Sequence, residues 1–138
     1  MEKTVITVEA TVNAPVEKVW KAWTGPEHIT QWNSASPDWH TPKATNDLRA
    51  GGKFSSRMEA KDGSMGFDFE GTYDDVREHE YIGYHMPDGR EVKTTFKAEG
   101  GKTKIVTNFD AETMNPVEMQ KGGWQAIMNS FKAYAEKL

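Results

Sequence analysis

The sequence predicts an α+β fold: a curved antiparallel sheet of about seven strands wrapped around a long C-terminal helix, with two short helices after the first strand. Three observations carry this expectation. Apolar and polar residues alternate from Thr4 to Val12 and again between Lys53 and Ala111. The turn signatures "KDGS", "PDG" and "EGGK" divide that second stretch into short runs. Toward the end the period changes, and Trp124, Ile127, Phe131, Tyr134 and Leu138 recur every three or four positions, the spacing of one helix face.

Each element follows from its own residues. Ile6, Val8, Ala10 and Val12 alternate with Thr7, Glu9 and Thr11, as in a half-buried strand. In "NAPVEKVWKAW", Val16, Val19, Trp20 and Trp23 share one face of a short helix with Pro15 at or near its first turn. Thr24 and Glu27 have capping-box spacing, so "TGPEHITQWN" predicts a break and a second short helix. A strand is expected around Trp39 to Thr45, bounded by "SASPD" and "RAGG". From Lys53 to Ala111 the turns give five strands of an antiparallel meander, with a tighter bend near "REHE". Met65, Phe67, Phe69 and Tyr73 face one way there, while Asp68, Glu70, Thr72 and Asp74 face the other. Val92, Thr94, Phe96 and Ala98 likewise oppose Lys93, Thr95, Lys97 and Glu99. Such a sheet is covered on one side only.

The cover is the C-terminal helix. Asn115 is placed to cap it, Pro116 to open it and Glu118 to close a capping box, with Met114 and Met119 at hydrophobic-staple positions. About twenty residues, at ~1.5 Å each, suffice to cross a sheet. Gly122 and Gly123 each cost roughly 1 kcal/mol relative to alanine. The pair implies close backbone approach, or room left between helix and sheet.

The 138 residues suit a single domain spanning 1–138, large enough for a core and an internal cavity. The net charge of −4 argues against nucleic acid, which selects clustered Lys and Arg. There is no cysteine, so disulfides, thiolate catalysis and Cys-based metal sites are excluded. "MEKTVITVEA" lacks a signal-peptide apolar region, and no run approaches the ~20 apolar residues of a membrane span. A cytoplasmic protein without stable membrane insertion is expected.

Four stretches, "APVEKVWKAWT-PEHITQW", "DLRAGGKF", "GFDFEGTYDDV" and "EMQKGGWQAIMNSFKAYAEKL", resemble bacterial proteins related to the C-terminal domain of the activator of the heat-shock protein 90 ATPase. That family belongs to the START-related, birch-pollen-allergen-like (SRPBCC) superfamily, whose fold is called helix-grip. The resemblance spans nearly the whole chain in the right order. It implies the helix-grip fold and a central cavity; superfamily members bind lipids, hormones and polyketides there, and some catalyse cyclisations or hydroxylations. The shared motifs look structural, so no catalytic residue is carried over. These residues hold no counterpart of the eukaryotic co-chaperone's additional N-terminal domain, which argues against a heat-shock-protein role.

Weighed individually, most polar constellations read as structure. His28, His40, His79 and His85 are scattered and form no HExxH or i, i+4 pair, so no metal site is expected. His79 beside Glu80 reads as a solvated turn residue, whereas His40 and His85 are candidates for a polar role in a cavity. Asp68, Glu70 and Asp74 read as an outward acidic stripe rather than an acid/base pair. Gly51 and Gly52 of "AGGK" read as a tight turn or bulge, because the phosphate-loop spacing is absent. Asp47 and Arg49 fall on one side of a strand as an ion pair, with Arg49 the alternative anchor for an acidic ligand.

The expected function is therefore non-enzymatic binding of a small, largely apolar or amphipathic molecule between sheet and helix, without a cofactor. The ligand candidates at the mouth are Trp32 and Trp39, and Trp20 and Trp23 are assigned to packing. His40, Arg49, Tyr81 and His85 are the orienting polar groups. Met58, Phe67, Phe69, Phe96 and Phe109 line the sheet side, and Trp124, Ile127, Met128 and Phe131 the helix side. The chain's seven methionines suit an adaptable pocket. A protein-interaction or stress-response module with a protein partner is the alternative, and a cyclase- or hydrolase-type enzyme a third.

Overall fold

The computed structural model describes residues 4–138. Strand β1 (Val5–Val12) leads into helices α1 (Val16–Thr24) and α2 (Pro26–Trp32). Six strands follow: β2 (Trp39–Asn46), β3 (Lys53–Ala60), β4 (Gly66–Arg77), β5 (Tyr81–His85), β6 (Glu91–Glu99) and β7 (Lys102–Asp110). The chain closes with α3 (Val117–Lys137), 21 residues long. The strands form one antiparallel sheet in the order β1-β7-β6-β5-β4-β3-β2. β1 runs the length of β7, from Val5↔Asp110 to Val12↔Thr103, so the first strand joins the end of the meander. This is the α+β helix-grip architecture the sequence predicts.

Glycine turns set the hairpins. Gly63, Gly89, Gly100 and Gly101 all have positive φ, as the "KDGS", "PDG" and "EGGK" turns require. The bend near "REHE" instead uses His79, the one non-glycine residue with positive φ among the described residues. A bulge between Tyr73 and Asp75 bends β4 and keeps both Tyr73 and Val76 on the packed face. A second irregularity, between His40 and Lys43, places Pro42 on edge strand β2, where a missing N–H costs no ladder bond.

Several local expectations are corrected. Thr24 does not cap α2: it ends α1, and its hydroxyl donates back to the Trp20 carbonyl at 2.8 Å. Gly25 serves as both C-cap of α1 and N-cap of α2, because Pro26 fixes the first helical position. At α3 the helix starts one residue later than predicted, and Asn115 donates its amide to Glu112 instead of capping. Gln120 reaches back, accepting from Glu112 N–H and donating to the Glu112 and Asn115 carbonyls. Met114 and Met119 form no staple, being 88% and 66% exposed. Ala98, near the end of β6, is also exposed. Asp47 and Arg49 lie in the loop after β2, not on a strand.

That loop shows the AGGK segment at work. Gly51 N–H donates to the Tyr73 carbonyl and Tyr73 N–H to the Gly52 carbonyl, fastening the loop to β4. A Cβ on Gly52 would stand 2.0 Å from the Asp47 carbonyl oxygen, a backbone atom that cannot swing aside.

The core runs along the sheet and is closed most tightly at one end. Val12, Val19, Ile105, Phe131 and Ala135 are fully buried where α1 and the second half of α3 meet β1, β6 and β7. Trp20 and Trp23 pack edge-on against Phe96, and Phe131 fits against Trp23 and Trp32. Toward the N-terminal half of α3 this packing gives way to open space.

Gly52→Ala is expected to destabilise the protein by about 1–3 kcal/mol, as overpacking against backbone does. Gly122 and Gly123 behave oppositely. A Cβ at either meets nothing within 4 Å, so the close backbone approach is not there. Gly122→Ala and Gly123→Ala should each raise stability by up to about 1 kcal/mol. Urea unfolding at constant m-value measures both effects.

Candidate ligand cavity

Between the concave face of β3–β6 and the first half of α3 lies a cavity of about 420 Å³, within the range that holds drug-sized molecules. Its position follows from where α3 sits. The helix packs chiefly on β1, leaving the middle of the sheet without a backbone above it.

Strand alternation supplies one wall. Phe54, Ser56 and Met58 of β3, Phe67, Phe69 and Tyr73 of β4, and Ile82 and Tyr84 of β5 face the space. Val92 and Thr94 of β6 and Thr107 of β7 continue it. α3 adds Gln120, Trp124, Ile127 and Met128, and the short helices add Trp23, Ile29 and Trp32. Trp124 lies flat on Phe109, with ring centroids 3.9 Å apart and planes within 11°. Trp23 and Trp32 stack at 5.1 Å to make the α1–α2 wall. The Trp32 indole N–H donates to the Ala22 carbonyl at 2.8 Å, so this ring is fixed in place.

Most polar groups on the wall are already satisfied. The Thr94 and Thr107 hydroxyls bond each other at 2.9 Å. The Tyr73 hydroxyl donates to the Asn46 side-chain oxygen at 2.5 Å, and Asn46 in turn donates to the Thr24 carbonyl. The Ser56 and Tyr84 hydroxyls have no hydrogen-bond partner among the described residues. Burial pushes the phenols of Tyr73 and Tyr84 well above their usual value near 10, and their mutual proximity adds to it at Tyr84. Tyr84 therefore stays a neutral donor across the ordinary pH range.

Of the residues singled out from sequence, Trp32, Met58, Phe67, Phe69, Trp124, Ile127 and Met128 line the cavity. Phe96, Phe109 and Phe131 do not. They are fully packed beneath it, where aromatic neighbours occupy the space. Tyr81 and His85 lie on the outer face, since the period of two that turns Ile82, Tyr84 and Met86 inward turns the odd-numbered residues away. Tyr81 covers Gly83 under the Arg77 guanidinium, and His85 bonds Asp74 at 2.7 Å. His40 faces Glu59 at 3.7 Å, and Arg49 grips both Asp47 oxygens at 3.0 Å in solvent. Trp39 sits behind Phe67, 6.1 Å between rings, without lining the cavity.

The other histidines are tied elsewhere. His28 bonds the Tyr134 hydroxyl at 2.6 Å, and His79 packs its ring edge against Trp20. Among the described residues no group of three or more His, Cys, Asp or Glu could hold a metal ion. Of the methionines, Met58, Met86 and Met128 line the cavity, whereas Met65, Met114 and Met119 are exposed. Met1 lies outside the described residues.

Sequence reasoning missed Trp23, Phe54, Tyr84, Met86 and Arg90. The signal for Tyr84 was available: alternation with Ile82 puts it on the apolar face. Trp23 was not separable, because a helix face looks alike whether it meets core or a void.

No protein with a curated description matches this chain. Residues 13–136 match the family described as "Activator of Hsp90 ATPase homolog 1-like protein". Among solved structures, an AHSA1-like protein from Aeromonas hydrophila is 45% identical with a TM-score of 0.91, over 97% of this chain and 93% of that one. Chr148 from Cytophaga hutchinsonii is 56% identical with a TM-score of 0.83, over 96% and 92% of the two chains. NE0264 from Nitrosomonas europaea, at 17% identity and a TM-score of 0.82 over 96% and 94%, shares the fold. The chain accordingly belongs to the family of proteins like the activator of Hsp90 ATPase homolog 1.

Proposed function

We propose that this protein is a non-enzymatic, cytoplasmic binding protein that holds a small, largely apolar molecule between the sheet and α3. The cavity carries the reading: 420 Å³ walled mainly by aromatic and methionine side chains, with a few convergent polar groups. Trp32, Met58, Phe67, Phe69, Trp124, Ile127 and Met128 are the contacting residues carried forward, joined by Trp23 and Tyr84. Met58, Met86 and Met128 adjust to ligand shape more readily than branched side chains do. A ligand burying about 300 Å² of apolar surface gains roughly 7.5 kcal/mol at ~25 cal/mol per Å², before the losses of association. Dissociation constants in the micromolar range or weaker are expected.

A second reading has its own support. The matching family is described by activation of the Hsp90 ATPase, and apolar side chains stand exposed beside the lining residues. Phe67 of the wall is itself exposed, as are Met65 before β4 and Met114, Val117 and Met119 around the start of α3. A partner protein could cover them. No helix among the described residues is long and apolar enough to cross a membrane.

Titrating lipid, flavonoid and polyketide panels while following tryptophan fluorescence tests the first reading. At least one class should give a saturable change, because Trp23, Trp32 and Trp124 all face the cavity. Ile127→Trp should fill the space and remove the bound mass in native mass spectrometry while circular dichroism stays unchanged. No saturable change with any panel, together with no bound species, rejects the proposal. Adding the protein to purified Hsp90 separates the readings: unchanged ATPase turnover is expected here, and stimulation saturating at a fixed stoichiometry would favour the second.

A further inference from the structure

The geometry points to an amphipathic carboxylate as the occupant of this cavity, its acid group held by the Arg90 guanidinium and the Tyr84 hydroxyl, its apolar body lying against Trp124 and Phe69. The inference rests on the binding role proposed above and names the ligand's chemistry.

Arg90 is the sole basic side chain among the residues lining the cavity. Register explains its reach. Tyr84 pairs with Val92 across β5 and β6, and Met86 N–H bonds the Arg90 carbonyl. Arg90 is thus the diagonal neighbour of Tyr84 on the same sheet face, about 7–8 Å between backbones, a span a long side chain covers. The two groups interact electrostatically, the guanidinium drawing the Tyr84 phenol down against the larger effect of burial.

Arg90 is oriented but not consumed. Asp88 accepts from Arg90 N–H at 3.1 Å through one oxygen and from Nε at 2.7 Å through the other. The backbone bond, with the side-chain bond beside it, lowers the Asp88 carboxyl from its ordinary value. The two terminal guanidinium nitrogens have no hydrogen-bond partner among the described residues. They form the planar fork that receives a carboxylate through two parallel bonds.

The acid on the wall does not compete for that fork. Glu112 is engaged by Asn115, whose backbone N–H and side-chain amide bond one of its oxygens at 2.8 and 2.6 Å. The cavity thus presents the two unbonded terminal nitrogens of Arg90 and one neutral phenol donor, with the Ser56 hydroxyl, the engaged Glu112 and a largely apolar remainder around them. A carboxylate needs charge-assisted donors at one end. A neutral ligand would leave them unmatched, and a cation would face the guanidinium.

Decanoate and decanol, which share an alkyl chain and differ in the head, test this on the full-length protein by tryptophan fluorescence at neutral pH. Decanoate should bind about tenfold or more tightly than decanol, as expected for two charge-assisted bonds in a partly buried site. Arg90→Gln should abolish that advantage while leaving decanol affinity within about twofold, and Arg90→Lys should restore only part of it. Tyr84→Phe should cost decanoate a smaller factor and decanol nothing. Circular dichroism verifies the fold of each variant. Equal binding of the two probes to the wild type, or an equal loss of both in Arg90→Gln, overturns the anionic head and leaves the cavity reading intact. Saturable binding of neither probe overturns this inference; silence across the lipid, flavonoid and polyketide panels as well is what rejects the cavity reading.

Discussion

One helix has to cover seven strands. With strands about 4.8 Å apart the sheet spans roughly 30 Å, while a helix with its side chains is about 10–12 Å across. The sheet meets this constraint by curling, and α3 settles against β1. α1 and α2 plug part of the remaining concavity with Trp20, Trp23 and Trp32. The rest of the concave face stays uncovered by backbone, and the cavity is that remainder. Its place in the fold is a consequence of widths before it is a consequence of any particular side chain.

A void of this size has energetic implications. A sealed, dry core loses about 24 cal/mol per Å³ of residual cavity volume, but this space of 420 Å³ opens to solvent. Such a space is sustainable only when water or a ligand occupies it, and the free Ser56 and Tyr84 hydroxyls with the Arg90 fork suit either. In the tightly packed half, Phe131 against Trp23 and Trp32 gives a rigid frame on which the open half depends.

How far the sequence reveals this depends on the physical signal each feature leaves. Period-two alternation in β4 and β6 and the glycine turns at Gly63, Gly89 and Gly101 report directly on sheet geometry, so the meander is legible. The 3–4 repeat through Phe131 and Tyr134 does the same for α3. Caps are less legible because several residues compete for one role. Pro26 fixes the start of α2 and takes the task from Thr24, while no side chain caps the first turn of α3, where Gln120 instead ties the preceding segment down through the Glu112 backbone and the Asn115 carbonyl. Facing is legible only with correct phase. Once Ile82 is inward, Tyr84 must be too, which removes Tyr81 and His85 from the cavity. Whether an inward side chain meets another ring or empty space has no sequence signature, and this divides Phe96, Phe109 and Phe131 from Phe67, Phe69 and Trp124.

The stretches that carry the family resemblance and the groups that face the cavity with unspent hydrogen bonds are largely different residues. The resemblance rests on segments that build the shell: Trp20 in α1, the Gly51–Gly52 loop fastened to Tyr73, the bulged β4 strand and the aromatic face of α3. Changing any of these disturbs the frame. Ser56, Tyr84 and Arg90 stand outside those segments, on β3, β5 and the β5–β6 hairpin, and each presents a polar group to the wall. Membership of the family therefore speaks to the frame, and these few side chains to the chemistry of the cavity found here. Two chains can share the frame at high structural similarity and still present different walls, because the frame is specified by packing and the wall's chemistry by a handful of unpaired polar groups.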